Sequence, residues 1–281
     1  MDRRTISALL LALLVSCSAA GAETMQTFEF TYPDTQPAPV VFDLNAGVLN
    51  LQPVEGSSVT GRVTTNVRQW QVSQTIDADG AQRVSQGETR NEVIPNATNE
   101  WQVQMGSGTP LAFTINGMAA SGNLDLSGLP LQTLSINATS GSYNLSYDSP
   151  SPLDGGLLRI QLGSGNVTIE GLFHSRIREV NSLTSSGSQI FEFGGGELAR
   201  NLEGSIETKT GDVVLRIPIG TPVRVMFTAA SGRVMETSPD FVEVSKNVYE
   251  TAEYADSDQP RLQLAVRSVA GDLRLYAVPP L

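Results

Sequence analysis

Through the middle of the chain, apolar and polar positions alternate in short runs broken by a small residue followed by glycine. Leu134 and Ile136 precede Ser140-Gly141, and Tyr143 and Leu145 follow it; Leu158 and Ile160 precede Ser164-Gly165, and Val167 and Ile169 follow. Thr210-Gly211 leads to Val213 and Leu215, and Ser121-Gly122 to Leu124 and Leu126. Ser186-Gly187 and Ser231-Gly232 keep the turn, but Gln189 and Glu236 stand where apolar residues are expected, so the Gly187 unit reads as shifted in register. From Gly122 to Gly232 the glycines step by 19, 24, 22, 24 and 21 residues, with outlying copies at Ala46-Gly47 and Ala270-Gly271.

Alternation on both sides of a small-Gly pair has the period of two that belongs to strands, so each unit predicts strand, arc, strand with one apolar face. Glycine suits the arc because a sharp reversal needs a positive φ. The small residue before it lets one arc lie on the next. A unit of about twenty residues cannot bury its apolar face alone, so neighbours must stack. Eight units, at Gly47, Gly122, Gly141, Gly165, Gly187, Gly211, Gly232 and Gly271, would span roughly 40 Å at the usual strand spacing. The expected fold is all-β: a β-solenoid or flattened β-sandwich with strands paired between successive repeats. An antiparallel sandwich of hairpins is the other arrangement that the pattern allows.

The N-terminal part departs from this rhythm. Residues 23–39, with Pro33, Pro37 and Pro39, read as an extended tether. Val40, Phe42 and Leu44, then Leu49 and Leu51, frame the first arc at Gly47. Before the next matching glycine, Val59 to Ile76 alternates, Asp77-Ala78-Asp79-Gly80 makes a turn, and Trp101, Val103 and Met105 alternate again: a β-hairpin or small meander. Trp70 and Trp101 are expected to pack in strands, an aromatic platform for a sugar ring being the other use of such rings. The organisation expected is a leader over 1–22, a tether over 23–39, an N-terminal β region over 40–118 and a β-repeat domain over 119–281.

The address comes from the first residues. Asp2-Arg3-Arg4 and the apolar run Ile6–Val15 form an export signal, too short to span a bilayer as a helix. Ala20-Gly21-Ala22 offers an ordinary cleavage site, giving a secreted protein. Leu14-Val15-Ser16-Cys17 resembles a lipoprotein lipobox, and Cys17 is the single cysteine of 281 residues, so lipid attachment at Cys17 and a membrane partner through that anchor are expected. The rest of the chain then has no internal disulfide to stabilise it. The net charge is −11 and becomes −12 without Asp2, Arg3 and Arg4; such a surface repels phosphate backbones, which argues against nucleic acid.

Candidate chemistry is sparse. The single His174 lies in a link between repeats, and a triad or zinc site needs partners that it lacks. Gly194-Gly195-Gly196-Glu197 occurs once, whereas calcium-binding repeats need a dense period. No cofactor or metal is expected. Polar residues follow the arcs, as in Asn123 and Asp125, Ser142 and Asn144, Asn166 and Thr168, Asp212 and Asp272, and stacking in register would make outward columns of them. Their main reading is turn chemistry and a soluble face. Paired carboxylates such as Asp125 and Asp212 would serve a polysaccharide-active enzyme. Four Asn-x-Ser/Thr patterns, at Asn96, Asn137, Asn144 and Asn166, carry no message in a bacterium.

Phe42 to Leu51, then Trp101-Gln102-Val103, then Gly122 to Leu131 with its Leu126-Ser127-Gly128-Leu129 link, resemble the toast-rack family of bacterial envelope proteins. The C-terminal part, from Ile206 to Leu273, is similar to the putative-adhesin β-repeat families. The resemblance implies a β-rich, envelope-attached, non-catalytic body with no catalytic residues to transfer. It also implies that Phe241–Tyr254 is strand, Lys246-Asn247 turn, strand, followed by a loop through Asp256, Asp258 and Pro260. The expected role is a non-enzymatic surface for adhesion, scaffolding or envelope sensing, with an envelope protein or glycan as partner. The alternatives are a secreted polysaccharide-active enzyme and a carbohydrate-binding module.

Overall fold

The computed structural model describes residues 21–87, 94, 96–256 and 258–280. The first strands are β1 (Thr24–Thr31), β2 (Ala38–Val54), β3 (Ser58–Thr65), β4 (Val72–Ile76), β5 (Gln82–Gln86), β6 (Asn99–Gly106) and β7 (Leu111–Asp125). Paired repeats follow: β8 (Leu131–Ser140) with β9 (Tyr143–Ser146), β10 (Gly156–Ser164) with β11 (Val167–Glu170), and β12 (Ile177–Ser186) with β13 (Gln189–Glu192). Then come β14 (Leu202–Thr210), β15 (Val213–Pro218), β16 (Val223–Ala229), β17 (Val234–Thr237), β18 (Val242–Ser245), β19 (Val248–Glu250), the short helix α1 (Ala252–Asp256), β20 (Leu262–Ala270) and β21 (Leu273–Val278).

These strands form one continuous sheet folded along the column of arcs, so that each repeat contributes a strand to each of two facing layers. Strands of neighbouring repeats pair in parallel and in register: Ile136 beside Ile160, Leu145 beside Ile169, Phe191 beside Leu215. This is the solenoid pairing, and hairpins are confined to its ends. Inward columns from both layers, such as Phe42, Ile115, Ile136 and Ile160 opposite Leu51, Leu124, Leu145 and Ile169, merge into a single apolar core. Each such fully buried side chain contributes about 1.5–3 kcal/mol against chain entropy. The core runs without a break past residues 118 and 119, which lie inside β7.

Among the described residues there are nine rungs, and their order in space is not their order in sequence. Along the stack they run β5/β6, β2, β7, β8/β9, β10/β11, β12/β13, β14/β15, β20/β21, β16/β17. Successive repeats therefore pair through the middle of the stack, while at each end two rungs are exchanged. The last rung of the chain, β20/β21, lies between β14/β15 and β16/β17. The exchange leaves the outermost rungs with chain on either side that can fold over them. β4 pairs antiparallel with β5, and β3 followed by β1 covers β6. At the far end β19 followed by β18 covers β16. Antiparallel additions of this kind cover the edge of a parallel stack.

Several expectations are corrected. Residues 23–39 are not a tether: β1 pairs along its whole length with β3, and Phe28, Phe30 and Tyr32 are buried. The ring of Phe28 lies over Gly61, where an added Cβ would fall 2.1 Å from the ring, and it meets Phe42 and Trp101 at 6.0 and 5.9 Å. Alternating Phe28 and Phe30, rather than the prolines that follow, decided the segment. Gly122 is not an arc glycine. Gly47 pairs with Ala120, whereas Gly122 occupies the inward position of Leu49 and Tyr143, and its missing side chain makes room for the Tyr143 ring 2.7 Å away. The Gly187 unit keeps its register too: Gln189 lies between Val167 and Val213 and points inward. At Glu236 a bulge after Val234 turns the carboxylate outward beside Arg274. After the β18–β19 hairpin, with Asn247 at φ 58°, the loop expected through Asp256 begins instead with α1.

Candidate functional site

The arcs form the most regular column in the molecule. A Cβ added to Gly141, Gly165, Gly187 or Gly211 would fall 1.8–2.2 Å from the carbonyl oxygen of the arc residue beneath it, in turn Ala120, Gly141, Gly165 and Gly187. Gly47 meets Asn99 O in the same way at 2.0 Å. All five have φ between 113° and 133°. Gly271 and Gly232 have ordinary φ but meet Gly211 O and Gly271 O at 1.8 and 1.9 Å, so close approach alone requires glycine there. These positions are structural. Cys17 lies outside the described residues.

The polar residues just after the arcs have a structural task as well. Ser121 Oγ accepts the Ser142 N–H, Ser142 Oγ the Asn166 N–H, and Asn166 Oδ1 the Ser188 N–H, at 2.9–3.2 Å. Asp212 Oδ1 accepts the Asp272 N–H and Asp272 Oδ1 the Arg233 N–H, both at 3.0 Å. Each side chain thus ties its rung to the next one in space, following the exchanged order. Arg274, 2.6 Å from Asp212 Oδ2, holds that carboxyl below the usual range, and the Asp272 N–H adds to the effect. Deeper in, Gln189 receives the Ser182 hydroxyl and donates to Thr184 Oγ1 and to Glu207 O, which satisfies a polar side chain where the repeat expects an aliphatic one.

His174 donates through Nδ1 to Tyr147 O at 2.9 Å, a carbonyl being able only to accept. Its ring occupies the space that a Cβ on Gly195 would need, at 2.8 Å, and Gly195 and Gly196 have φ of 90° and 105°, so these two glycines have a structural reason. Among the described residues, no group of three or more His, Cys, Asp or Glu side chains gathers to hold a metal. Trp101 is fully buried and Trp70 is 5% exposed, so neither ring offers a flat face to a sugar.

What the sequence reading missed lies four positions before each arc. Asp43, Asn116, Asn137, Gln161 and Leu183 are in register on the outer face of the first layer. Asn116 Nδ2 donates to Asp43 Oδ1 at 2.8 Å, and Asn137 Nδ2 to Asn116 Oδ1 at 3.1 Å. Beside this column, Met118, Thr139, Gly163 and Ser185 lie nearer the arcs, and Gly163 has its absent Cβ 2.4 Å from Thr139 O. Ser73 and Ser85, on the β4–β5 hairpin, line the end of the same depression. The result is a groove of about 1420 Å³. From β4 to β12 it crosses seven strands, roughly 29 Å at the usual spacing.

Among the described residues the groove holds little net charge. Arg83 pairs with Asp43 and, at 2.7 Å, with Asp77. The hydrogen bond from Arg83 lowers the Asp77 carboxyl, and the two carboxylates raise the guanidinium. On the opposite layer Asn50, Asn123 and Asn144 form a second amide ladder with steps of 3.0 Å. It borders a smaller groove of about 390 Å³ that also contains Asp125 and Glu170. Asp125 and Asp212, the pair expected of an enzyme, are four rungs apart, on the order of 19 Å along the stack, and are offset along the strand as well, Asp125 being in register with Arg216.

The family model described as the N-terminal domain of toast_rack, DUF2154, matches residues 19–171. No curated protein matches the chain. Among solved structures, a putative cell adhesion protein from Clostridium sporogenes is 15% identical, with 92% of this chain and 100% of that chain covered and a TM-score of 0.47. A putative adhesin from Bacteroides fragilis is 8% identical, covering 90% of this chain and 97% of that chain at a TM-score of 0.41. A putative lipid binding protein from Parabacteroides distasonis is 8% identical, covering 89% and 96% at a TM-score of 0.27.

Proposed function

Because this chain belongs to the toast_rack N-terminal domain family, we propose that it is a non-enzymatic, exported envelope protein whose stacked outer faces serve adhesion, scaffolding or envelope sensing. The observation that carries this reading is the long groove over an uninterrupted sheet. Its amides and hydroxyls can hold a partner, and Asp43, its carboxylate, is committed to Arg83 and Asn116. The rigid stack of nine rungs among the described residues supports such a face because each rung is hydrogen-bonded to its neighbours through strands and arcs alike.

Attachment to a membrane through Cys17 belongs to the same proposal and rests on the leader sequence. Among the described residues no helix is long and apolar enough to cross a membrane. The mass of the mature N-terminal peptide from the membrane fraction tests it. A diacylglyceryl-modified Cys17 is expected, and an unmodified start at Glu23 would mean a freely secreted protein. The binding role is tested with the purified protein on whole cells and isolated envelopes: saturable retention supports it, and a protein that stays unbound to both refutes it.

One observation keeps the enzyme alternative in view. Asp125 and Glu170 share the smaller groove two rungs apart, about 10 Å by strand spacing, near the upper limit for an inverting pair of carboxylates. Release of reducing ends from polysaccharide, abolished by Glu170→Gln, would establish that alternative.

A further inference from the structure

We infer that the groove across β4 to β12 binds an uncharged polysaccharide strand lying along the stack axis; this deepens the reading of that face as a binding surface and rests on it. Four features select the ligand class. First, the floor strands are paired on both sides, so their backbone groups are used and an extended peptide cannot add as another strand. Recognition must come from side chains. Second, these are short amides and hydroxyls, Asn116, Asn137, Gln161, Thr139, Ser85 and Ser185, which offer both donors and acceptors. Hydroxyl groups, which also donate and accept, are their natural complement.

Third, among the described residues the groove has no aromatic side chain and no apolar pocket of the kind that anchors protein partners; Met118 and Leu183 are the large apolar side chains on its outward floor. Fourth, Arg83 is neutralised by Asp43 and Asp77, and the whole chain carries −11, so an anionic polymer is repelled rather than attracted. The repeat itself favours a polymer. Amides recur on three consecutive rungs, at Asn116, Asn137 and Gln161, about 4.8 Å apart, so consecutive sugar rings along one strand meet consecutive rungs. Without stacking each contact is weak, and affinity must accumulate along the chain.

The ladder gives the amides a fixed pose. Asn137 donates one N–H to Asn116 Oδ1, and Asn116 donates one to Asp43. Each therefore keeps its second N–H for a ligand. Gln161, the next in the column, has no side-chain partner among the hydrogen bonds described, which makes it the residue to alter without loosening the stack.

The test is calorimetric titration of the purified protein with a size ladder of neutral glucan and mannan oligosaccharides of two to eight residues. A uronic-acid oligosaccharide of equal length is the anionic comparison. Affinity is expected to rise with length up to about six residues, the number of strand spacings that the groove crosses, and the anionic series is expected to bind far more weakly. Gln161→Glu keeps shape while replacing donors by acceptors, and with Asn137→Ala it should weaken binding about tenfold. Asn144→Ala on the opposite ladder should change nothing, and thermal unfolding of each variant verifies the fold. Silence with every neutral oligosaccharide, equal binding by the groove variants, or preference for the anionic series overturns the inference.

Retention on cells separates this failure from failure of the broader reading. Periodate treatment of the cells, which cleaves vicinal diols, should abolish retention. If retention instead survives periodate but is lost after protease treatment, and is lost in Gln161→Glu, the groove binds a protein: the ligand class is wrong and the binding role stands. Absence of retention together with silent titrations overturns both.

Discussion

Gly165→Ala adds one methyl group to the arc column, and its effect can be worked from two separable terms. The new Cβ would lie 1.8 Å from Gly141 O, on a residue at φ 125°. Relief of the overlap requires the rungs to part by on the order of 1.5 Å, about a third of their spacing. The Gly141 N–H to Ser164 O and Tyr143 N–H to Asn166 O bonds, 3.0 and 2.9 Å long, would then be stretched beyond useful range. Two lost hydrogen bonds cost about 2 kcal/mol, and the backbone strain about 1–3 kcal/mol, so a loss of roughly 4 kcal/mol is expected. Two controls isolate the terms. Gly56 has φ 113° with nothing within 4 Å of its Cβ position, and Gly271 has ordinary φ with Gly211 O at 1.8 Å. Gly56→Ala should therefore cost about 1–2 kcal/mol from strain, and Gly271→Ala about 2–3 kcal/mol from overlap. The assay is equilibrium unfolding in urea with comparison of midpoints at constant slope. If the Gly165 and Gly271 variants lose no more than Gly56→Ala, the carbonyl column is not what demands glycine, and the reasoning fails.

Phe28→Ala should destabilise the protein by about 3–4 kcal/mol in the same assay, since its ring packs on Gly61, Phe42 and Trp101; a tether would lose nothing. Gln189→Leu should cost about 1–2 kcal/mol by orphaning the Ser182 hydroxyl, and adding Ser182→Ala should recover much of it, as a double-mutant cycle will measure. Burial raises the phenols of Tyr32, Tyr143 and Tyr147, Tyr143 to about 12. With folded values above unfolded ones, their contribution is complete below about pH 10 and is lost as pH rises, in the case of Tyr143 between about 10 and 12. Tyr143→Phe should lower the alkaline slope by about 1.4 kcal/mol per pH unit and, because its hydroxyl has no partner among the described residues, should leave neutral stability unchanged or higher.

The amino-acid sequence determines the rung by itself. Leu134, Ile136, Tyr143 and Leu145 around Gly141 need no distant information, because alternation and arc are properties of a dozen neighbouring residues. For the same reason the core columns, the all-β class and the hairpin turn at Asp77–Gly80 were legible. Which rung lies beside which was not. The exchange that puts β20/β21 between β14/β15 and β16/β17 joins residues about sixty positions apart, such as Thr210 and Ala270, and no local pattern distinguishes it from serial stacking. Register across rungs decided that Ala120, not Gly122, fills the arc, and that Asn99 holds the same place in a rung no glycine announced. The groove depends on this most of all. Asp43, Asn116, Asn137 and Gln161 become one surface only when four separate repeats are aligned, and the β4–β5 hairpin closes its end only because β5 pairs with β2. Local chemistry selected the repeat; the pairing of distant strands, which sequence separation hides, made the site.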